Sequence, residues 1–100
     1  VIRDDSGVIR TSIAGVKEEG FYNSNLLLVE TERRMMRCAD EVVVVADHTK
    51  IGRTALAWLC ELSAIDTLVV DGRLTAEQRA LLDQNDVRVI IAGESEERQP

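Results

Sequence analysis

The chain has 100 residues, which is room for one domain. Its formal charge of −6 disfavours contact with a phosphate backbone, and its basic residues never concentrate: Arg33, Arg34 and Arg37 stand together, but Glu30 and Glu32 sit among them. A hydrophobic content of 45% excludes a disordered chain, and no apolar run approaches the ~20 residues of a helical membrane span.

In chain order, residues 1–7 are polar and end in the Ser6-Gly7 turn signal. Val8 to Val16 holds alternating and small residues, with a strand expected near Arg10–Ala14. Lys17 to Asn25 reads as a loop, because Gly20, Asn23, Ser24 and Asn25 all favour turns or caps. Leu26 to about Ala39 reads as a helix capped by Asn25 or Ser24. Leu28, Met35 and Ala39 share one face of it, with Glu32 and Arg33 at the edge. The apolar run Leu26–Val29 predicts that its first turn is the more deeply buried.

Glu41 to Ala46 is the clearest strand, and four consecutive valines predict burial on both faces. It ends abruptly at Asp47-His48-Thr49-Lys50. Arg53 to Leu62 is either a helix, which its composition favours, or a short strand through Ala55–Leu59. Thr67 to Val70 is a second buried strand, ending in Asp71-Gly72. Thr75 caps a helix to about Gln84, and Val87 to Ala92 forms the last strand. Residues 94–100 form a charged tail expected to fray. Alternation of strands and helices argues for an α/β fold, a mainly parallel sheet flanked by helices.

The chemistry gathers where two buried strands end. In open parallel sheets, ligands bind at the carboxyl ends of the strands. Lys50, on a short loop after a buried strand, is placed to offer its ammonium to a phosphate, with the Thr49 hydroxyl as a neutral donor. A solvated surface lysine is the ordinary alternative. Asp47 reads equally as a ligand contact or as a turn cap, and Asp71 reads more readily as a plain turn residue. His48 is the only histidine; with no partner at metal-ligand spacing and no nucleophile, it reads as a hydrogen-bonded loop residue rather than a base. Asn23, Ser24 and Asn25 lead into a helix N-terminus, where they either hold an anion or sugar hydroxyl or simply cap the helix. Cys38 and Cys60 lack zinc or CxxC spacing and read as reduced core thiols.

Taken together, Asn23-Ser24-Asn25, Glu30-x-x-Arg33-x-Met35, the valine strand, Ala46 to Arg53 and Leu62 to Asp71 resemble the sensor domain of DeoR-family bacterial transcription regulators. The likeness runs from about Ala14 to Ala92 and keeps order and spacing. It implies a fold related to ribose-5-phosphate isomerase, glucosamine-6-phosphate deaminase and the CoA transferases. It also implies a sugar-phosphate effector and operator DNA bound through an upstream winged helix-turn-helix domain; a homo-oligomer is expected, and the cytoplasm is the default location for a sequence that shows no signal peptide or membrane span. It assigns Lys50 to the phosphate and Asp47 to a hydroxyl or structural contact. His48, Thr49, Asn23, Ser24 and Asn25 complete the expected effector site. No cofactor, metal or catalytic residue is expected.

The chain departs from the pattern in three places. It lacks the family's early Asp-Gly-(Thr/Ser)-Thr loop, a second expected phosphate cradle. The opening stretch and the strand at Ser12–Gly15 are nearly adjacent, so either residues are missing between them or the chain is a trimmed piece with a partial site. A chain that begins without Met also reads as a fragment, a partial sensor domain over 1–100. Finally, Glu32 stands where a basic residue is common, and Ile51 where Phe is common. Two other readings compete with a regulator. A sugar-phosphate isomerase or deaminase of the same fold needs a positioned proton-transfer carboxylate, and no dedicated acid–base pair is visible. A phospho-acceptor receiver domain needs early acidic residues after a buried strand, and Asp4 and Asp5 do not follow one.

Overall fold

The structure, a computed structural model, describes residues 2–92; the charged tail lies outside them. Strands β1 (Ile2–Arg3), β2 (Val8–Ser12), β5 (Glu41–Ala46), β7 (Thr67–Val70) and β8 (Arg88–Ile91) form a five-stranded sheet in the order β1-β2-β5-β7-β8. Only the β1–β2 pair is antiparallel. A second sheet of β3 (Gly15–Lys17), β4 (Gly20–Asn23) and β6 (Ala57–Cys60) is antiparallel throughout. Helix α1 (Leu26–Arg37) connects β4 to β5, and α2 (Ala76–Gln84) connects β7 to β8. The α/β class and the mainly parallel sheet expected from the alternation are therefore present.

The four parallel strands are laid down in one direction across the sheet. Crossovers of one hand that keep advancing in one direction place every connection on the same face. Accordingly Val42, Val44, Ala46 and Leu68 join the core with α1, α2 and the small sheet. Val43 and Val69, on the opposite face, are only half-buried, and Val45 is 43% exposed. The expectation that the valine run is buried on both faces is corrected: among the described residues, one face is covered.

The segment read as a loop, Lys17 to Asn25, contains β4, which pairs with both β3 and β6. Turn-forming residues occur in this strand because the packing demands them. Gly20 sits at φ +133°, and a Cβ there would come within 2.0 Å of the Cys60 carbonyl oxygen. Phe21 beside it is fully buried. The undecided stretch Arg53–Leu62 resolves as a strand, β6. Its helix-favouring composition is overridden by pairing with β4, which registers Tyr22 with Trp58 and Asn23 with Ala57. The first strand divides into β2 and β3, with Ile13 and Ala14 crossing between the two sheets.

Helix α1 is capped as expected, Asn25 Oδ1 accepting from the Leu28 amide at 3.1 Å. Its buried face, however, is Val29 and Glu32, with Met36 packed beside them. Leu26 and Leu27 are 60% and 73% exposed, so the first turn is not the buried end. The docking angle is set by Arg33. Its Nε donates to the Leu59 carbonyl at 2.9 Å, and its guanidinium lies 5.7 Å from the centre of the Trp58 ring, tying the helix to β6. Helix α2 carries a complete capping box, Thr75 Oγ1 accepting from the Gln78 amide while Gln78 Oε1 accepts from the Thr75 amide.

Glu32, expected at the edge of the helix face, is fully buried. Its carboxylate accepts from the Thr11 hydroxyl on β2 and from Asn23 Nδ2 on β4, the latter at 2.7 Å. Asn23 Nδ2 also donates to the Ser12 carbonyl at 3.2 Å. One carboxylate thus joins α1 to both sheets. Removing it strands the buried Thr11 and Asn23 donors and opens a void, so Glu32→Ala should lower unfolding stability by about 2–4 kcal/mol. Urea denaturation of the two proteins measures this; a loss below ~0.5 kcal/mol would show that the network contributes nothing.

Candidate functional site

The register of β5 and β7 builds the site. Val45 pairs with Val69 and Ala46 with Val70, so the two strands end level, and Asp47 and Asp71 are the next residue on each. Neighbouring strands run roughly 4.8 Å apart, so the two carboxylates leave the sheet edge side by side. The chain then turns through a short 3-10 segment, His48–Lys50. Asp47 caps it, its Oδ1 accepting from the Thr49 amide at 2.9 Å and from the Thr49 hydroxyl.

Asp71 reaches across from β7. Its Oδ1 accepts from the His48 backbone amide at 2.7 Å and lies 3.2 Å from His48 Nδ1. Two hydrogen-bonded pairs, Asp47 with Thr49 and His48 with Asp71, therefore stand next to each other at the carboxyl edge of the sheet. Both carboxyls are held below the ordinary carboxylate value. For Asp47 the Thr49 hydroxyl is the main cause, with Lys50 and His48 adding positive charge. For Asp71 it is the His48 amide, then the His48 ring. Both groups are solvent-accessible anions, not proton-sharing acids.

Lys50 is half-buried, and its backbone amide donates to the Asp47 carbonyl at 3.1 Å. Immediately beyond it, the Gly52 amide donates to Val16 O at 2.7 Å and Ile51 bridges Val16, pinning the turn to β3. Among the described residues the Lys50 ammonium makes no hydrogen bond or ion pair. A groove of about 460 Å³ starts at Ile51 and Gly52 and runs between Val16 and Lys17 of β3 and the Leu81 side of α2. It contains none of Asp47, His48, Thr49 or Lys50, and its lining is mainly apolar.

Asn23, Ser24 and Asn25 form a separate group. The Asn23 amide is committed to Glu32 and Ser12, and Asn25 to the cap of α1; Ser24 and Asn25 are exposed. Because β2 pairs in parallel with β5, Ser12 matching Val45, this group lies at the same sheet edge as Asp47. Sequence reasoning undervalued Asp71. The available signal was a second buried strand ending, like the first, in aspartate. The two thiols also divide: Cys60 is buried, while Cys38 is exposed at the end of α1 rather than in the core. Burial and then the Glu32 charge push the Cys60 thiol up to about 12, which makes it a poor nucleophile.

An α/β domain with an open polar edge where its parallel strands end is the architecture of a ligand-binding module. Residues 7–72 match the family described as the DeoR C terminal sensor domain, and the chain belongs to that family. It is 30% identical over 84 residues to the HTH-type transcriptional repressor GlcR of Bacillus subtilis, covering 84% of this chain and 33% of that protein. It is 27% identical over 81 residues to the L-fucose operon activator of Haemophilus influenzae, covering 80% of this chain and 32% of that protein. It is 32% identical over 73 residues to the HTH-type transcriptional regulator GlpR of Haloferax volcanii, covering 73% and 29%. The chain thus spans about a third of the length of these relatives. They are transcriptional regulators, and the chain is a DeoR-type sensor domain. Among the described residues, no helix is long and apolar enough to cross a membrane.

Three carboxyls carry a pH signature. Asp4, held by the Ser6 hydroxyl and by Arg10, is lowered from 3.8 to about 2, and Asp47 and Asp71 are lowered as well. A carboxyl whose folded value lies below its unfolded one adds stability that is present above the unfolded value and is lost as pH falls through the folded one. Thermal melts should therefore hold level from pH 7 to about 5 and fall between about pH 4 and 2. Asp71→Asn should flatten that fall; an unchanged acid limb would show that Asp71 gains nothing from His48.

Proposed function

We propose that the Asp47–Lys50 turn binds a phosphorylated sugar or a related metabolite, and that this binding controls a DNA-binding domain outside the chain. The observation that carries the reading is the half-buried Lys50, whose turn is pinned at both ends while its ammonium is left unpaired among the described residues. An ammonium so placed suits a phosphate as a point charge. The Thr49 hydroxyl, the carboxylates of Asp47 and Asp71, and the His48 ring stand ready for sugar hydroxyls. Ser24 and Asn25, exposed at the same edge, are the second group a larger ligand would reach. The relatives' names place two of them at operons or repression, which fits a regulator; its working in the cytoplasm as an oligomer is part of the proposal.

The reading includes no catalysis. Enolisation of a sugar phosphate needs a base whose pKa is raised toward the working pH. Asp47 and Asp71 are shifted the opposite way.

A melting-temperature screen with ribose 5-phosphate, glucose 6-phosphate and glucosamine 6-phosphate tests the ligand class. Lys50→Ala should weaken the stabilising sugar phosphate by about 10–150-fold, the loss of one charge-assisted hydrogen bond, without lowering the unliganded melting temperature. Equal affinities in two equally stable proteins would remove Lys50 from the site. Wild-type protein should convert none of the three compounds faster than buffer; turnover that scales with protein and vanishes in Asp47→Asn would favour the isomerase or deaminase reading.

Operator recognition is assigned to the absent domain because the chain is acidic, at −6, and covers about a third of relatives named as HTH-type. In gel-shift assays at physiological salt, the chain alone should form no sequence-specific complex with operator DNA. A specific shift at nanomolar protein would reassign DNA binding to this domain.

A further inference from the structure

We propose that Asp71 and Gly72 act together as the positioning device of the site, holding the His48 imidazole with its proton on Nδ1 so that Nε2 faces the ligand as a hydrogen-bond acceptor. The inference rests on the sugar-phosphate reading for the identity of the ligand, but not for the geometry of the ring.

Three contacts support it. Asp71 Oδ1 engages His48 twice, at the backbone amide (2.7 Å) and at Nδ1 (3.2 Å), so the carboxylate fixes the residue at both its backbone and its ring. A carboxylate has only acceptors to offer, so the nitrogen facing it must carry the proton. Gly72 supplies the floor. A Cβ at that position would come within 2.8 Å of His48 Cβ and 3.1 Å of Cγ, so the ring lies where any side chain would stand. With Nδ1 engaged, Nε2 is the nitrogen left for a ligand, and the His48 side chain is 63% exposed. Asp47, on the same turn, feels the charge of both Lys50 and His48.

The consequence is chemical selectivity. In its neutral form an imidazole with a bare Nε2 accepts a hydrogen bond, so that form prefers a hydroxyl donor to a fully ionised phosphate oxygen. Lys50 takes the anionic end of the ligand and His48 reads a hydroxyl. A ligand hydroxyl donating to Nε2 adds one hydrogen bond that an analogue lacking it does not make. Ligands with phosphate but no neighbouring hydroxyl should bind through Lys50 alone.

The chain contains one histidine, so nitrogen-15 spectra of its imidazole are free of overlap. They are recorded without ligand at alkaline pH, where imidazole is neutral. Wild type should show a protonated Nδ1 and a bare Nε2. Asp71→Ala removes the carboxylate and Gly72→Ala displaces the ring while leaving the carboxylate in place; each should lose this preference and shift toward the Nε2–H form. A wild-type ring protonated on Nε2 overturns the proposal, as does the wild-type tautomer persisting in both folded variants. Should Asp71→Ala fail to fold, the wild-type spectrum and Gly72→Ala decide the matter.

A second readout goes beyond a structural role. Whichever of ribose 5-phosphate, glucose 6-phosphate and glucosamine 6-phosphate raises the melting temperature should move the bare Nε2 resonance in wild type, and inorganic phosphate should move it less. An unmoved Nε2 in a protein that binds the sugar phosphate through Lys50 removes His48 as a contact and overturns the inference alone. A silent screen beside a ligand-free Nδ1–H ring upholds the positioning and defeats the sugar-phosphate reading instead.

Discussion

The register between β5 and β7 is the constraint on which the site depends. Parallel strands exchange evenly spaced hydrogen bonds, and with Ala46 level with Val70 both strands run out at the same height. Two aspartates that are 24 residues apart in sequence then leave the sheet as neighbours. A slip of one residue would turn Val42 and Val44 outward and separate Asp71 from His48. The hydrophobic pattern that buries Val42, Val44, Leu68 and Val70 on one face is therefore also what brings His48 to its carboxylate.

A second constraint governs how the remaining elements meet the sheet. Burying a carboxylate is costly unless its lone pairs are satisfied. Glu32 meets that condition by drawing on Thr11 and Asn23, one from each sheet. The same bonds hold Asn23 at the carboxyl edge and align the start of α1, whose cap, Asn25, is two residues further on. Arg33, the next residue, fastens the helix to β6 through the Leu59 carbonyl. The helix is thus positioned by Val29 and by polar contacts rather than by its leucines, and Leu26, Leu27 and Leu28 are left exposed.

These two constraints meet at one edge. Asp47 is hydrogen-bonded to Thr49 and His48 to Asp71, and Lys50 projects from a turn anchored to β3 through Val16. The groove beside them has a mainly apolar surface, with Lys17, Glu18 and Glu77 at its walls. What distinguishes the edge is an ammonium that, among the described residues, has no hydrogen-bond or ion-pair partner, set beside oriented acceptors, the combination on which the proposed ligand class rests.

Much of this was legible in the amino-acid sequence. The valine run marked β5 to the residue, Thr67–Val70 marked β7, and Thr75 marked the start of α2, because each of these signals is local: a short buried run, a polar stop, a capping side chain. The resemblance carried by Asn23-Ser24-Asn25, Ala46 to Arg53 and Leu62 to Asp71 pointed to the sensor family that the chain proved to belong to. Long-range pairing escaped it. Gly20 and Asn23 look like turn residues until Cys60 and Glu32 are placed against them, and the composition of Arg53–Leu62 favours a helix until β4 offers Ala57–Cys60 a ladder. The sequence by itself determined that two buried strands end in aspartate and that a lysine follows the first. Only the tertiary structure decided that Asp71 belongs to His48, that Glu32 is a buried hub, and that one face of the sheet is left open. Each of these depends on strand register and on the hand of the crossovers, which bring distant residues together in ways that no window along the chain contains.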